Sequence, residues 1–196
     1  GLFTLQIDDA PTATSSDVGD GGTTERTEVG AGTNTNPGAT HSVGEVAGTG
    51  NNLNNYISSI ECVDRGTTNI VASAAGPGPL NVNVDPDDDI VCTITNERKP
   101  ELKLVKTVNN GDGGTAVPND WTLSATAAAP NDGLNFSNAG SSGVFQTVFA
   151  GVGYDLAETS VAGYTAGSWS CDGGSLVDST VTLGPGDQVT CTINND

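Results

Sequence analysis

Residues 91–96 read VCTITN, and residues 190–195 read TCTINN. Both stretches alternate apolar and polar residues as a half-buried β-strand does, and both contain a cysteine and end in asparagine. Three further pairs of stretches match in the same order along the chain: FTLQID (3–8) with WTLSAT (121–126), SVGEVAG (42–48) with DLAETSVAG (155–163), and YISSIEC (56–62) with YTAGSWSC (164–171). An ordered set of matches predicts two tandem copies of one domain.

The charged, proline-marked segment ERKPE (97–101) separates the copies, so we predict domains at 1–98 and 99–196. Alternating runs such as ELKLVKTV (101–108) and QVTCTINN (188–195) are separated by turn-rich segments such as NNGDGG and LGPGDQ. No convincing helical periodicity is present. The pattern is typical of an all-β chain, and it predicts two antiparallel β-sandwich domains.

The composition excludes several classes of partner. The chain has 24 acidic and six basic residues, a formal net charge of −18. Nucleic acids and anionic membranes attract basic patches, so neither is expected as a partner. No apolar run approaches the roughly 18 residues of a membrane helix, so membrane insertion is not expected. No secretion signal is present, and we therefore expect either a mature product or an excerpt of a longer protein.

The four cysteines are expected to form disulfides. None lies in a Cys-x-x-Cys pair, and the chain has one histidine, which argues against zinc. Two disulfides imply an oxidising compartment outside the cytoplasm.

The two copies differ at their beginnings. The second copy opens with the strand ELKLVKTV before WTL, whereas only two residues precede FTL in the first. We therefore expect the first domain to lack its N-terminal strand and to expose an unpaired sheet edge. Either the chain is cut from a longer array, or a neighbouring molecule supplies the strand; the sequence favours the excerpt.

These motifs resemble a known family. Three stretches of the second copy are similar to the prealbumin-like (transthyretin-like) repeats of bacterial surface proteins: LKLVKTVNNGDGGTAVPNDWTLSATA, YDLAETSVAGYTAGSWSC and VTLGPGDQVTCTINND. These repeats are related to the collagen-adhesin B-type domains of pilins and adhesins. Three stretches of the first copy resemble a slightly different subtype of the same family: VGDGGTTERTEV, HSVGEVAGTGNNLNNYISSIECVD and VCTITN. The resemblance covers nearly the whole chain. It implies Ig-like or transthyretin-like β-sandwiches that act as stalks or spacers without enzymatic turnover.

The resemblance also implies a self-formed isopeptide bond between lysine and asparagine, assisted by a glutamate. The matching residues are Lys106 in the first strand, Asn195 in the last strand and Glu158 in YDLAE, and the first domain has Glu45 and Asn96 in the matching places. Strand parity independently places Lys106, Glu158 and Asn195 on the apolar faces of their strands. Burial favours a neutral amine that attacks the carboxamide and a protonated carboxyl that polarises it.

A simpler interpretation remains open for the same residues. Lys106 extends its ammonium to water, Glu158 accepts backbone hydrogen bonds, and Asn195 caps the chain end. The segment ETSVAGY is also one residue shorter than the family's Glu-Thr-x-Ala-Pro-x-Gly-Tyr form and lacks its proline.

The repeat suggests which cysteines pair. In each domain one cysteine follows the YISSI or YTAGSW strand, and the other lies in the final strand. We therefore expect Cys62–Cys92 and Cys171–Cys191, each stabilising its domain by about 2–4 kcal/mol. Four free thiols are the alternative.

The acidic run DPDDD offers a candidate calcium site at Asp85, Asp87, Asp88 and Asp89. It lacks the ligand spacing of an EF-hand, so a solvated turn is the favoured interpretation. No other cofactor is expected.

The sequence therefore predicts structural repeats of an extracellular, cell-surface adhesin or filament, whose partners are neighbouring repeats or subunits. The alternative is a module that binds a carbohydrate, protein or surface through long loops such as 9–40 and 63–80. Those loops contain no Phe, Tyr or Trp, which favours the spacer. A hydrolase is the least favoured of the three functions, because the sequence shows no Ser/His/Asp set of catalytic residues.

Overall fold

The computed structural model describes residues 1–11, 15–24, 29–30 and 38–196, and they fold into two units, Gly1–Glu97 and Arg98–Asp196. The strands of the first unit, β1 to β7, are Phe3–Ile7, Ala10–Pro11, Ala39–Ala47, Tyr56–Asp64, Ile70–Ala75, Leu80–Val84 and Ile90–Arg98. Those of the second, β8 to β16, are Glu101–Val108, Thr122–Thr126, Phe136–Ala139, Gln146–Thr147, Gly153–Glu158, Ser170–Cys171, Ser175–Val177, Thr180–Thr182 and Gln188–Asn195. Short 3₁₀ turns span Leu53–Asn55, Pro118–Asp120 and Asp132–Leu134.

Each unit is a sandwich of two sheets. In the first unit the strand orders are β2-β1-β3-β6 and β5-β4-β7, and in the second they are β10-β9-β12-β15-β14 and β11-β8-β16-β13. Apolar residues of both sheets meet in the middle, because alternate side chains of every strand point inward. The prediction of two all-β sandwich domains is confirmed.

The repeat seen in the sequence is also a repeat of strand register. Leu5 of β1 is opposite Glu45 of β3, and Leu123 of β9 is opposite Glu158 of β12. Both pairs are antiparallel. Because register determines which side chains share a face, the two glutamates occupy equivalent positions in the two sandwiches.

One pairing of the second unit is parallel, whereas the others in that unit are antiparallel. The first and last strands of the second unit, β8 and β16, pair in parallel over eight residues, from Glu101 opposite Gln188 to Val108 opposite Asn195. A parallel pair needs a long crossover connection, and here the rest of the unit provides it.

The two cores differ in extent. Fourteen apolar residues of the second unit form one buried cluster, which includes Trp121, Leu123, Tyr154 and Val181. Among the described residues of the first unit, the buried cluster contains Ile60, Cys62 and Val82, with half-buried neighbours around them. The first unit therefore gains less stabilisation from apolar burial.

The expectation of a long loop at 63–80 was wrong. Ile70–Ala75 forms β5, which pairs antiparallel with β4. Ile70 and Val71 are β-branched residues that favour strands, but both are largely exposed, so the segment has no apolar alternation to reveal it. In the other long segment, 12–14, 25–28 and 31–37 lie outside the described residues.

Candidate functional site

The second unit brings the three predicted residues together. Lys106 lies on β8, Glu158 ends β12, and Asn195 ends β16, so the site joins both sheets. Lys106 and Asn195 are each about 3% exposed. Residues with these side chains are rarely buried unless they have partners.

Glu158 holds the other two residues, one on each carboxylate oxygen. Lys106 Nζ donates to Oε2 at 2.5 Å, and Asn195 Nδ2 donates to Oε1 at 2.8 Å. The Lys106 ammonium also lies 4.7 Å from the centre of the Trp121 ring, within range of a cation–π attraction. The carboxamide oxygen of Asn195 is buried and has no hydrogen-bond partner among the described residues. The alternative in which Lys106 reaches water does not fit this geometry.

The neighbouring residues of the opposite parity lie elsewhere. Lys103 Nζ lies 4.6 Å from the centre of the Phe145 ring, and Asn194 is exposed and accepts a hydrogen bond from the Thr107 hydroxyl. Lys103 therefore serves as a matched control for Lys106.

The first unit repeats this site without the lysine. Asn96 Nδ2 donates to Glu45 Oε2 at 3.0 Å, and the Ser58 hydroxyl donates to Asn96 Oδ1 at 2.6 Å. Glu45 is 6% exposed, and its Oε1 has no hydrogen-bond partner among the described residues. Burial raises the pKa of the Glu45 carboxyl, and the Asn96 hydrogen bond opposes this only in part.

A pH-dependent prediction follows for Glu45. The pKa of the Glu45 carboxyl is higher in the folded state than in the unfolded state. Above the folded pKa the charged carboxylate therefore lowers the free energy of unfolding of the first unit. This destabilising contribution disappears as the pH falls through the folded pKa towards the unfolded value. Glu45→Gln removes the charge, so we expect it to stabilise the first unit by about 1 kcal/mol at neutral pH and by less near pH 4. Hydrogen exchange of β3 in the full chain measures this, and a neutral-pH loss of stability would contradict it.

Both expected disulfides are present. Cys62–Cys92 joins β4 to β7, and Cys171–Cys191 joins β13 to β16. Each bridge therefore ties the last strand of its unit to a neighbouring strand of the same sheet. No cysteine is free.

The acidic run forms a turn. The Asp85 backbone N–H donates to the Asp88 carboxylate at 2.8 Å, and the Asp89 backbone oxygen accepts from Arg65 N–H at 2.9 Å. Within the described part of the chain, no three His, Cys, Asp or Glu side chains are grouped to hold a metal. The calcium site at Asp85, Asp87, Asp88 and Asp89 stays a sequence prediction.

Sequence reasoning missed the role of His41. Its Nδ1 lies 2.8 Å from the Asp8 carboxylate and its Nε2 lies 2.6 Å from the Gly30 backbone oxygen. Both contacts favour the doubly protonated ring, and the Gly30 contact contributes most to raising the pKa of His41. No motif marks this contact, because Asp8 and Gly30 are distant in sequence.

Comparison with known proteins supports the fold. Two families, both described as prealbumin-like fold domains, match residues 2–98 and 97–193. No curated protein matches the chain. Within the described residues, no helix has the length and apolar character needed to cross a membrane.

Two solved structures are similar to the chain at low identity. One is a bacterial adhesin from Mobiluncus mulieris that contains intramolecular disulfide, isopeptide and ester bond cross-links. It is 13% identical, with a TM-score of 0.37, over 80% of this chain and 88% of the adhesin chain. The other is the major pilin protein T-13 of Streptococcus pyogenes. It is 16% identical, with a TM-score of 0.35, over 93% of this chain and 71% of the pilin chain. The family matches together span residues 2–193, and the chain therefore belongs to the prealbumin-like fold domains, of which it contains two in tandem.

Proposed function

We propose that the chain is a load-bearing spacer of an extracellular bacterial adhesin or filament. Tandem sandwiches with a disulfide in each suit this role, because disulfides persist in oxidising compartments outside the cytoplasm. The strongly acidic composition keeps such a protein soluble at high local concentration.

The parallel pairing of β8 with β16 carries the proposal. A force on the two ends of the second unit pulls β8 from its N-terminal end and β16 from its C-terminal end. In a parallel pair these ends lie at opposite ends of the ladder, so the strands are loaded in shear along eight residue pairs. Shear stretches all the inter-strand hydrogen bonds together, whereas peeling breaks them one at a time. This arrangement resists extension.

An isopeptide bond between Lys106 and Asn195 would strengthen the same pair of strands. The neutral Lys106 amine attacks the Asn195 side-chain carbonyl carbon, and Glu158 passes a proton from the amine to the departing nitrogen. A C–N bond forms, one C–N bond breaks, and ammonia leaves. Glu158 already holds both reacting groups, one on each oxygen, which is the orientation that such a transfer requires.

The partners we propose are neighbouring repeats or subunits of the same kind. In the first unit, Glu45 and Asn96 lie together as their counterparts do, which suits a neighbouring repeat that adds a lysine-bearing strand to this unit by strand complementation.

Intact mass and single-molecule pulling test the proposal. We expect the oxidised chain to be lighter than its sequence by about 17 Da, one ammonia, beyond the disulfide losses. Lys106→Ala and Glu158→Ala should restore this mass, whereas Lys103→Ala should not. In pulling experiments the second unit should resist higher force than the first, because its terminal strands are loaded in shear, whereas β1 and β7, the first and last described strands of the first unit, lie in different sheets.

The two measurements separate the two parts of the proposal. An unmodified mass together with a high unfolding force would contradict the isopeptide bond and still support the load-bearing spacer. A second unit that unfolds at no higher force than the first would contradict the spacer itself.

A further inference from the structure

The single histidine of the chain, His41, lies between two hydrogen-bond acceptors. Its Nδ1 is 2.8 Å from the Asp8 carboxylate, and its Nε2 is 2.6 Å from the Gly30 backbone oxygen. A neutral imidazole has one N–H donor, so it donates to one of these oxygens and presents a lone pair to the other. Only the imidazolium donates to both. The arrangement is therefore complete only when the ring is protonated.

Asp8 is held in place for this contact. Asp8 and Asp9 form the two-residue turn between β1 and β2, and both have positive φ angles, 52° and 62°, as a tight hairpin turn requires. One carboxylate oxygen of Asp8 accepts the Ser42 backbone N–H at 3.0 Å, and the other faces the ring of His41. Asp8 is thus fixed by its own backbone and by β3.

The Gly30 contact joins the ring to another part of the chain. Gly30 lies in the connection between β2 and β3. Earlier in this connection, the Ser15 backbone oxygen accepts the Leu5 N–H, and Val18 is bridged to Phe3, so β1 holds that part. Among the described residues, no backbone hydrogen bond holds Gly30, and the His41 ring is its hydrogen-bond partner.

We propose that His41 acts as a pH-dependent clamp, which in its protonated form fastens Gly30 to the β1–β2 turn and in its neutral form loses one of the two contacts. This device is independent of the load-bearing function. It needs no group from outside the chain, because the proton exchanges with water.

The charged groups around the ring favour its protonated form. The strands that flank β3, β1 and β6, contain no titratable side chain. Arg65 and five aspartates border the same cavity as His41: Asp20, Asp85, Asp87, Asp88 and Asp89. This excess of negative charge attracts a proton to the ring. On β3 itself, Glu45 shares the face of His41 and has the pH dependence described above.

The sign of the pH effect follows from the two contacts. The Gly30 contact, followed by the Asp8 contact, raises the pKa of His41, and burial opposes them in part. The clamp's stabilising contribution is therefore fully present below the ordinary histidine pKa of about 6.5, and it is lost as the pH rises through the folded-state value. The clamp stabilises the first unit most in mildly acidic surroundings.

NMR of the full chain tests the clamp, because a single histidine gives one ring signal to follow. We expect the His41 ring to titrate above the ordinary value, and the Gly30 carbonyl carbon to shift with the same midpoint. Asp8→Asn should lower this midpoint. Asp9→Asn is the matched control: it removes the same charge from the same turn, but Asp9 has no described contact with the ring, so the midpoint should stay nearly unchanged.

Two further variants isolate the contribution of the ring. Glu45→Gln removes the nearby carboxyl as a source of pH dependence. In that background we expect the Ser42 amide, which Asp8 holds, to exchange about fivefold faster at about pH 8 than at about pH 5 after correction for the intrinsic rate. Adding His41→Gln should abolish this difference, because glutamine does not titrate.

Three results would overturn the clamp. The first is a His41 midpoint at or below about 6.5. The second is a Gly30 carbonyl signal that does not follow the ring. The third is an equal shift of the midpoint in Asp8→Asn and Asp9→Asn, which would assign the effect to general negative charge. All three come from variants that keep the ring, so they decide the question even if His41→Gln fails to fold.

Discussion

Glu158→Gln is expected to lower the free energy of unfolding of the second unit by about 3–5 kcal/mol. The substitution leaves the Lys106 ammonium buried without its counter-charge, and it also removes the carboxyl that we assign to isopeptide formation. Both tryptophans of the chain lie in this unit, so the change in tryptophan fluorescence with denaturant measures its unfolding alone.

The double variant Lys106→Met/Glu158→Gln is the control. It removes the buried charge together with its partner, so it should recover part of the stability lost in Glu158→Gln. Glu45→Gln in the first unit is a second control. No described lysine is paired with Glu45, so this substitution leaves no buried ammonium without its counter-charge. If the double variant is no more stable than the single one, the loss comes from the missing cross-link and not from the charge.

Replacing Cys62 and Cys92 with alanine should have the second large effect. Loss of a disulfide from a small secreted domain costs about 2–5 kcal/mol. The described core of the first unit has three fully buried apolar residues, one of which is Cys62 itself. We therefore expect the first unit to lose its slow-exchanging amides, as measured by hydrogen-exchange mass spectrometry, while tryptophan fluorescence shows the second unit still folded.

The same replacement of Cys171 and Cys191 should leave the second unit folded. Its buried cluster has fourteen members, and its last strand is also held by β8. Equal sensitivity of the two units to loss of their bridges would show that the difference in core size does not matter.

Much of the fold could be predicted because strands have a period of two. Alternation placed Leu102, Leu104 and Lys106 on one face, and all three are buried together. The repeated VCTITN and TCTINN motifs placed one cysteine in each final strand, and both bridges reach these strands.

Other features depend on contacts that no local pattern encodes. Alternation does not specify which strand is a neighbour or in which direction it runs, so the parallel pairing of β8 with β16 was not foreseen. The strand β5 was missed because its apolar residues are exposed. The unmatched oxygen of Glu45 becomes visible only when the three-dimensional positions of the two glutamates are compared.

The disulfides also determine how far the molecule can lengthen after a unit has unfolded. Cys62–Cys92 and Cys171–Cys191 close segments of 30 and 20 residues, and a closed segment adds nothing to the contour of the stretched chain. At about 3.5 Å for each extended residue, the Cys62–Cys92 bridge removes roughly 100 Å from the extended length of the first unit. The Cys171–Cys191 bridge removes roughly 70 Å from the second unit only where the Lys106–Asn195 bond has not formed, because that bond closes residues 106–195. Reduction by thiols makes this length available, so the redox state of the surroundings determines how far the unfolded chain can extend.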